Sequence, residues 1–353
     1  MRHYRIAVVP GDGIGKEIIP EGLKVLQAVA ALEGFELAVE VFPWGAEHYL
    51  QTGEFMPPDG LSRLQTFNAI YFGAIGHPDV DDSLPPRHYT FRVRKAFQQY
   101  VNLRPIRLLP GVQGPLRDKR AEDIDLVIIR ENAEGEFADV GGLFDPDGPD
   151  GLALQTGVFT RRGIERVAHY SFQLARSRRA QLTNVTKSNA LAYGLVYWDR
   201  VIEQVGQSYP DVAYEKMYVD AAAMNLVLHP ERFDVVLTTN LFGDILSDLG
   251  GALIGSLGMA PSGNINPERR FPSMFEPIHG SAPDIAGRGI ANPLATIWSG
   301  ALMLEHLGEA AAAQRILESM VALLQDRHAP RPVDLGGQAT TVEIGDAMAR
   351  RLV

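Results

Sequence analysis

The most informative absence in this 353-residue sequence is cysteine, of which there is none. A chain without cysteine has no disulfide framework, no thiolate metal site and no cysteine nucleophile. No apolar run is long enough to cross a bilayer, and the formal net charge of −10 argues against nucleic acid or an anionic membrane as a partner. The first residues pass directly into a strand pattern, without a signal segment, so we expect a cytoplasmic location.

Length and patterning indicate the class of fold. Apolar residues make up 46% of the chain and charged residues 22%, which is ordinary for a globular protein with a large core. A length of 353 residues exceeds what one core usually organises, so we expect two domains. Strand-like and helix-like segments alternate along the chain, and this pattern predicts an α/β protein.

Three glycines, Gly11, Gly13 and Gly15, follow the strand predicted over residues 4–10. Glycines in this place suggest a dinucleotide-binding Rossmann turn. Their spacing is G-x-G-x-G, however, with Lys16 next, and the second predicted strand does not end in an acidic residue as the fingerprint requires. We therefore do not predict a Rossmann domain.

Two carboxylates stand out in residues 238–251, TTNLFGDILSDLGG. Asp244 and Asp248 are four residues apart in a predicted helix and should project from one face. Their neighbours are Leu, Phe and Ile rather than Lys or Arg, so burying them would be costly without a cation. Mg²⁺ or Mn²⁺ prefers such oxygen ligands. The alternative is that Asp244 favours a helix start and Asp248 is solvated.

Three arginines suit an acidic substrate. Arg94 and Arg104 flank a helix predicted from about Thr90 to Tyr100, and Arg130 ends the strand predicted over residues 125–129. Ligands of open α/β sheets bind at the carboxyl ends of strands. Guanidiniums grip carboxylates in bidentate fashion, so the set fits a substrate with more than one carboxylate. The alternative is that each pairs with one of the 43 acidic residues.

Residues 131–160 are rich in Gly, Asp and Pro and carry two short extended pieces. This composition predicts an excursion from the main sheet, an arm rather than part of the core. A helix should follow it, with Thr160 as its N-cap and Ile164, Val167 and Leu174 on its inner face.

Lys187 follows the predicted strand QLTNVT, just before a helix that we expect to open at Ser188 and Asn189. A lone lysine is usually a solvated surface group. At a strand end, cationic repulsion that lowers its pKa would make Lys187 a candidate base. A further predicted strand ends at Asp220.

The segments NVTKSNA, VDAAAMNLVLHPERFDVVLTTNLFGDILSDLGG and EPIHGSAPDIAGRGIANP resemble the isocitrate and isopropylmalate dehydrogenase family of metal-dependent decarboxylating dehydrogenases. The resemblance runs from GDGIG to DLGGQATT. Within the family, PSGNINPERRFPSMFEPIHGSAPDIAG and YWDRV are most similar to the tartrate and D-malate dehydrogenase branch. The resemblance implies an oxidoreductase that uses NAD and Mg²⁺ or Mn²⁺ to oxidise, and usually decarboxylate, a malate-type 2-hydroxy acid. The alternative substrate is a related substituted malate, 3-isopropylmalate or isocitrate.

The resemblance also implies a two-domain fold with a large mixed sheet that is not a Rossmann fold. Residues 1–103 and 256–353 would form the cofactor-side domain. Residues 104–255 would form the metal, substrate and dimerisation domain, with the arm at about 131–160. The expected assembly is a homodimer with active sites shared across the interface.

Individual roles follow from the same resemblance. Asp244 and Asp248 would bind the ion together with Asp220 of the partner subunit, and Lys187, also reaching across the interface, would take the proton from the 2-hydroxyl. Arg94, Arg104 and Arg130 would hold substrate carboxylates. The residues implied to line the dinucleotide site are Ile14, Gly73, Ala74, Asn189, Glu276, His279, Gly280, Ser281, Ala282, Asp284, Ile285 and Asn292.

Two departures from the family pattern concern the chemistry. In ENAEGEF the family usually ends with Tyr, whose hydroxyl is thought to protonate the enolate after CO₂ leaves, but this chain has Phe137. Ahead of Arg94, isopropylmalate enzymes present an apolar pair, whereas this chain has the polar stretch PPRHYTF. That stretch disfavours an isopropyl group. The residues that leave the exact substrate open are Arg87, His88, Tyr89 and Thr90.

A second class of function is a regulatory subunit without turnover. Such a subunit would be expected to lose the base or the metal carboxylates first. This chain keeps Lys187, Asp220, Asp244 and Asp248, so the sequence favours an enzyme.

Overall fold

The computed structural model describes residues 2–352 and has an α/β fold, as the alternating patterns predicted. It contains the expected large mixed sheet, of ten strands, and a separate two-stranded sheet. The strands in this part of the chain are β1 (Arg2–Gly11), β2 (Phe35–Val41), β3 (Ala69–Ala74), β4 (Val101–Arg107), β5 (Asp125–Glu131), β6 (Gly141–Phe144), β7 (Leu152–Gln155), β8 (Gln181–Thr186), β9 (Ala213–Tyr218), β10 (Val235–Thr238), β11 (Pro261–Ile265) and β12 (Ser273–Pro277).

The helices vary widely in length, from five to nineteen residues. None of those within residues 2–352 is both long and apolar enough to span a membrane. They are α1 (Gly15–Glu33), α2 (Ala46–Thr52), α3 (Gly60–Leu64), α4 (Phe91–Ala96), α5 (Arg161–Arg176), α6 (Gly194–Gly206), α7 (Val219–Leu228), α8 (Asn240–Leu253), α9 (Leu294–Leu307), α10 (Ala310–Gln325) and α11 (Thr341–Leu352).

One compact unit comprises Met1–Gln99, Pro105–Ile124 and Gly251–Val353. Its strands have the order β2-β1-β3-β12-β11. β1 runs parallel to β2 and β3, and β12 parallel to β3, whereas β11 is antiparallel to β12. Residues 6–9 of β1 are all fully buried. A strand covered on both faces has a continuous apolar sequence rather than an alternating one, which explains the run IAVV.

The second compact unit comprises Tyr100–Arg104 and Asp125–Gly250. Its strands have the order β4-β5-β10-β8-β9, and β5, β10, β8 and β9 run parallel to one another. The carboxyl ends of these four strands therefore share one edge, where α/β sheets usually bind ligands. Arg130 lies near the end of β5, and Lys187 follows β8 directly.

The arm leaves the main sheet, as its composition predicted. β6 and β7 form an antiparallel two-stranded sheet of their own. Large apolar side chains on it are exposed, with Leu143 at 69% and Phe144 at 55%. Isolated hairpins are marginally stable in water. Exposed apolar side chains that cluster in this way are typical of interaction surfaces.

The helix after the arm begins where the sequence predicted. Thr160 is the N-cap of α5, and its Oγ1 accepts a hydrogen bond from the Gly163 N–H at 3.0 Å. Ile164 and Val167 are buried on the inner face, whereas Leu174 is half-buried. The Thr160 hydroxyl also donates to Glu134 Oε1 at 2.6 Å, which ties the helix start to the base of the arm.

Two predicted helices have different bounds. The helix expected from Thr90 to Tyr100 consists instead of a π-helix, Pro86–Thr90, followed by α4. It ends before Tyr100, because Gln98 has a left-handed φ of 46° that a helix cannot include. The other does not open at Ser188. Turns back to the Lys187 carbonyl occupy the next residues, and α6 begins only at Gly194.

The compact units divide the chain differently from the expected domains at residues 105–124. We expected these residues with the second domain, whereas they cluster with the first unit. Specific contacts within that unit account for this. The Leu108 N–H donates to the Ile124 carbonyl at 2.9 Å, and Arg331 Nη1 donates to the Gly111 carbonyl at 3.1 Å.

Candidate active site

Asp244 and Asp248 lie one turn apart on α8, and both remain partly open to solvent. Their side chains are 45% and 58% exposed. Their neighbours along the sequence are apolar, but the fold adds charged ones. Arg104 and Arg130, distant in sequence, come to them through the fold, so the carboxylates already have cationic partners.

Arg130 is held from two sides at the end of β5. Its Nε donates to Asn240 Oδ1 at 2.8 Å, and its Nη1 donates to Asp244 Oδ1. The ring of Phe137 lies 5.6 Å from the guanidinium carbon, within the range of a cation–π contact. Only 3% of the Arg130 side chain is exposed. The guanidinium therefore has a fixed orientation.

Arg104 extends from β4 and contacts both carboxylates. Its Nη1 donates to Ser247 Oγ at 2.5 Å and lies 3.4 Å from Asp244 Oδ1 and 3.7 Å from Asp248 Oδ1. Its Nε donates to Asn102 Oδ1 at 2.5 Å. Asn102 is two residues away on the same face of the strand, so its side chain can orient the guanidinium.

The electrostatics of this cluster favour a further cation. Partial burial raises the pKa of Asp248; Arg104 opposes this, and the negative charge of Asp244 raises the pKa further. Two carboxylates that repel each other offer four oxygen atoms to a hard divalent ion, which would relieve the repulsion. The residues therefore fit Mg²⁺ or Mn²⁺. Among residues 2–352, no three acidic or histidine side chains come together as a complete metal site.

Lys187 and Asp220 form a separate pair. They meet because β8 and β9 are parallel neighbours in register, with Thr186 opposite Tyr218. Lys187 Nζ donates to Asp220 Oδ1 at 2.5 Å, and this hydrogen bond lowers the pKa of Asp220. We expected a second cation beside Lys187. The partner that the structure shows is a carboxylate.

Arg94 lies in the first unit, on α4, and pairs with a predicted cofactor residue. Its Nη2 donates to Glu276 Oε1 at 3.3 Å, and the Asn264 amide donates to the same oxygen at 2.7 Å. The Nε of Arg94 is buried, and it has no hydrogen-bond partner within residues 2–352. A buried donor without a partner is costly, and a ligand oxygen would satisfy it.

The glycines of the first turn serve close backbone packing. A Cβ at Gly11 would lie 1.8 Å from the Ala74 carbonyl oxygen, and one at Gly13 would lie 2.1 Å from that of Ser281. Both glycines also have positive φ, 70° and 53°. The Ile14 N–H donates to the Ser281 carbonyl at 2.9 Å. The turn thus brings three predicted cofactor segments together, at 14, 74 and 281.

The other predicted cofactor residues of the first unit occupy the loop after β12. Ala282 and Ile285 pack on Ile14, and Asp284 is exposed. His279 is half-buried, and this burial lowers its pKa and favours the neutral ring. Its Nε2 has no hydrogen-bond partner in the described part of the chain. A polar group of a bound ligand would satisfy this buried nitrogen.

Four further positions of the predicted cofactor set are distributed differently. Gly73 lies on β3 beside Ala74, and Gly280 has open space where a side chain would extend. Asn292 donates to Asp334 Oδ2 at 3.0 Å. Asn189 belongs to the second unit and is exposed two residues after Lys187.

The polar stretch ahead of Arg94 is only partly exposed. Arg87 and His88 face solvent, whereas Tyr89 and Thr90 are buried. The Tyr89 ring stacks on Phe72 with centroids 5.4 Å apart, and burial raises its pKa well above the usual value. Burial therefore disfavours ionisation of the Tyr89 hydroxyl.

Sequence reasoning missed the residues that hold the arginines, namely Asn102, Asn240 and Ser247. A local signal existed for two of them. Asn102 shares a strand face with Arg104, and Ser247 is three residues from Asp244 on the helix. Asn240 is 110 positions from Arg130, and only the pairing of β5 with β10 brings them together.

The isocitrate/isopropylmalate dehydrogenase family matches residues 5–348. The chain belongs to this family of NAD(P)- and metal-dependent dehydrogenases. It is 48% identical to a D-malate dehydrogenase [decarboxylating] of Escherichia coli (strain K12), covering 99% of each chain. It is 47% identical to a tartrate dehydrogenase/decarboxylase of Pseudomonas putida, covering 99% of this chain and 98% of that one.

A solved structure gives the same result. The crystal structure of isocitrate dehydrogenase from Methylococcus capsulatus matches with a TM-score of 0.89 and 34% identity, covering 99% of both chains. The predicted family, and the similarity to its tartrate and D-malate branch, are confirmed.

Replacing Asp244 with Asn tests the carboxylate pair. The change keeps the shape but removes one ligand charge, so affinity for Mn²⁺ and turnover should fall together. We expect a loss of about 100-fold or more, since even outer-shell partners contribute roughly 10–100-fold. Mn²⁺ titration by calorimetry and steady-state rates measure both quantities.

Asp211→Asn is the matched control, because Asp211 is an exposed acid of the same unit that pairs with Arg176. It should bind Mn²⁺ and turn over as the unmodified protein does. Unchanged ion affinity in Asp244→Asn would remove this carboxylate from the metal site.

Proposed function

We propose that this protein is a decarboxylating dehydrogenase that oxidises a small 2-hydroxy acid of the tartrate or D-malate type. The observation that carries the proposal is the cluster of Asp244 and Asp248 with Arg104 and Arg130, at a carboxyl edge of the sheet. A pair of acids for a divalent ion beside two fixed guanidiniums suits an acid substrate. Relatives at 48% identity over almost the full chain carry names of this activity.

Arg104 and Arg130 would each hold a substrate carboxylate, and the resemblance adds Arg94. Both arginines of the second unit are nearly fully buried and oriented by asparagines, so little side-chain entropy is lost on binding. Their present partners are Asp244 and Asp248. A divalent ion on those acids would leave the guanidiniums to the substrate.

Lys187 would act as the base that takes the proton of the 2-hydroxyl, with Asp220 as its charged neighbour. Mg²⁺ or Mn²⁺, when bound, would offset the negative charge that develops on the substrate oxygens during oxidation and decarboxylation. Oxidation places a carbonyl next to the carbon that bears the second carboxylate. Arg104 and Arg130 then keep the molecule in place while CO₂ leaves.

NAD would be the hydride acceptor. The exposed carboxylate of Asp284 supports this choice, because an acid accepts ribose hydroxyls and repels a 2′-phosphate. The half-buried His279, whose pKa burial lowers, and the open space at Gly280 lie in the same loop and support a dinucleotide site there.

A homodimer with shared active sites would complete the metal site. Two features support this arrangement: Asp220 does not join Asp244 and Asp248 within residues 2–352, and the arm exposes Leu143 and Phe144. Sedimentation should therefore give twice the mass of one chain, because monomers would expose these apolar side chains to water. A monomer that is fully active at assay concentration would contradict the shared site.

A substrate panel tests the proposed function. D-malate, tartrate, isopropylmalate and isocitrate are each offered with Mn²⁺ and either NAD or NADP, and reduced cofactor is recorded. D-malate or tartrate should give the highest kcat/KM among the acids. NAD should be preferred to NADP, since Asp284 and a 2′-phosphate carry like charges, whose proximity is costly. A chelator should abolish the rate and added Mn²⁺ should restore it.

Other outcomes of the panel are decisive. Preference for isopropylmalate or isocitrate would assign the chain to the alternative branch, and equal use of both cofactors would contradict the role of Asp284. No turnover with any acid would favour a regulatory subunit.

The Phe137→Tyr substitution tests the last protonation step. Phe137 packs on the Arg130 guanidinium but offers no proton, so protonation of the enolate should be weak in the native protein. General acids contribute roughly 10²–10⁴-fold, and because water replaces part of this we expect about tenfold faster keto-acid formation in the variant. The measurement compares the rate of keto-acid product formation with the rate of NADH formation in each protein. Phe159→Tyr is the matched control, since Phe159 packs on Trp198 instead.

The hypothesis has a clear contrary result. Fast turnover of the unmodified protein, with stereospecific uptake of solvent deuterium at C3 and no effect of Phe137→Tyr, would show that another acid is in place.

A further inference from the structure

The loop between β12 and α9, residues 278–293, contains neither helix nor strand. A structureless segment of this length is uncommon in a compact unit and usually has a function. Its shape must be fixed by contacts with other elements, because it has no backbone ladder of its own. The start of α1 supplies several of these contacts.

The first part of this loop is anchored by Ile14. The Ile14 N–H donates to the Ser281 carbonyl at 2.9 Å, and Ile14 packs with Ala282 and Ile285 in a small apolar cluster. This anchor holds the chain just before Asp284 and again just after it.

The second anchor is the carboxylate of Glu17, in the first turn of α1. Its Oε1 accepts a hydrogen bond from the Gly287 N–H at 2.6 Å, and its Oε2 accepts one from the Gly289 N–H at 2.9 Å. Both glycines have left-handed φ, 78° and 63°. One carboxylate thus fixes two backbone N–H groups of a turn whose left-handed glycines have no Cβ to oppose it.

The far end of the loop has independent support. The Thr341 N–H donates to the Gly289 carbonyl at 2.9 Å, and its hydroxyl donates to the Ala291 carbonyl at 2.7 Å. Loss of the Glu17 carboxylate should therefore loosen residues 284–289 without unfolding the unit.

We propose that Glu17 is a positioning residue for the dinucleotide, which it does not touch. It fixes residues 284–289 so that Asp284 and Ile285 are presented in the binding conformation before the cofactor arrives. This inference rests on the proposed NAD-dependent function. Preorganisation of this kind raises affinity because less of the protein must be ordered on binding.

The experiment compares Glu17→Gln with Glu47→Gln in the full-length protein. Glutamine keeps the size of Glu17 but offers one acceptor oxygen and an NH₂ group, which cannot accept from the second glycine N–H. Glu47 is the matched control, a partly exposed glutamate that pairs with Lys16, the residue before Glu17 on α1. Thermal unfolding confirms that each variant is folded, and Glu17→Asp replaces Glu17→Gln if needed, since its shorter side chain cannot span both glycines.

Two measurements are made, hydrogen–deuterium exchange of the peptide that covers residues 284–290 and the dissociation constant of the binary complex with NAD. Exchange should be faster in Glu17→Gln. If the competent loop conformation falls to about a tenth of its population, the dissociation constant and the KM for NAD rise about tenfold. The KM for the acid substrate and kcat should stay within about twofold, and Glu47→Gln should change none of these.

Each contrary outcome overturns the inference. Unchanged exchange would show that Glu17 does not hold the loop, and faster exchange with unchanged NAD affinity would show that the held loop does not matter for binding. A parallel rise in both KM values would indicate general damage. If the unmodified protein binds neither NAD nor NADP, the proposed function fails as well. If the variant binds the dinucleotide as tightly as the unmodified protein does, only the role of Glu17 is refuted.

Discussion

The contact between two carboxylates on one helix and two buried guanidiniums is the constraint on which the second unit depends. Asp244 and Asp248 repel each other across one helical turn, and Arg104 and Arg130 offset that repulsion. Buried arginines are costly without partners, so the two guanidiniums depend on these carboxylates. The pairing holds the four charges at one place. In the proposed function, a divalent ion would bind the two carboxylates and an acid substrate would bind the two guanidiniums.

The parallel sheet makes this pairing possible. Because β5, β10, β8 and β9 run in the same direction, the residues that follow them collect at one edge. Arg130 meets Asn240 through one pair of these strands, and Lys187 meets Asp220 through another. The sheet thus positions groups from four distant parts of the sequence, and the loops after the strands determine which chemistry they perform.

Close backbone packing plays the corresponding part in the first unit. Gly11 and Gly13 allow the turn after β1 to approach the Ala74 and Ser281 carbonyls to distances that a side chain would forbid. The same turn continues into α1, whose Glu17 carboxylate holds the loop near Gly287. Glycine spacing that departs from the Rossmann fingerprint is explained by this packing between protein segments rather than by contact with a phosphate.

The sequence by itself determined the α/β class, the family, the carboxylate pair on α8, the arm and the Thr160 cap. Each of these depends on spacing along the chain or on a long motif, and the periods of helix and strand carry such information directly. The sequence also indicated ligand-binding arginines, Arg130 at the end of a predicted strand and Arg94 and Arg104 on either side of a predicted helix. It did not show that Arg104 and Arg130 face Asp244 and Asp248.

The tertiary structure alone decided which charges meet. Asn240 lies 110 positions from Arg130, and Glu17 lies 270 from Gly287, so no local pattern relates them. Lys187 was expected beside a cation and has a carboxylate instead, because the order of β8 and β9 places Asp220 there. Tyr89 looked available in a polar stretch, but its ring is stacked in the core. Contacts of this kind depend on strand order and packing, which the sequence specifies only through the whole fold.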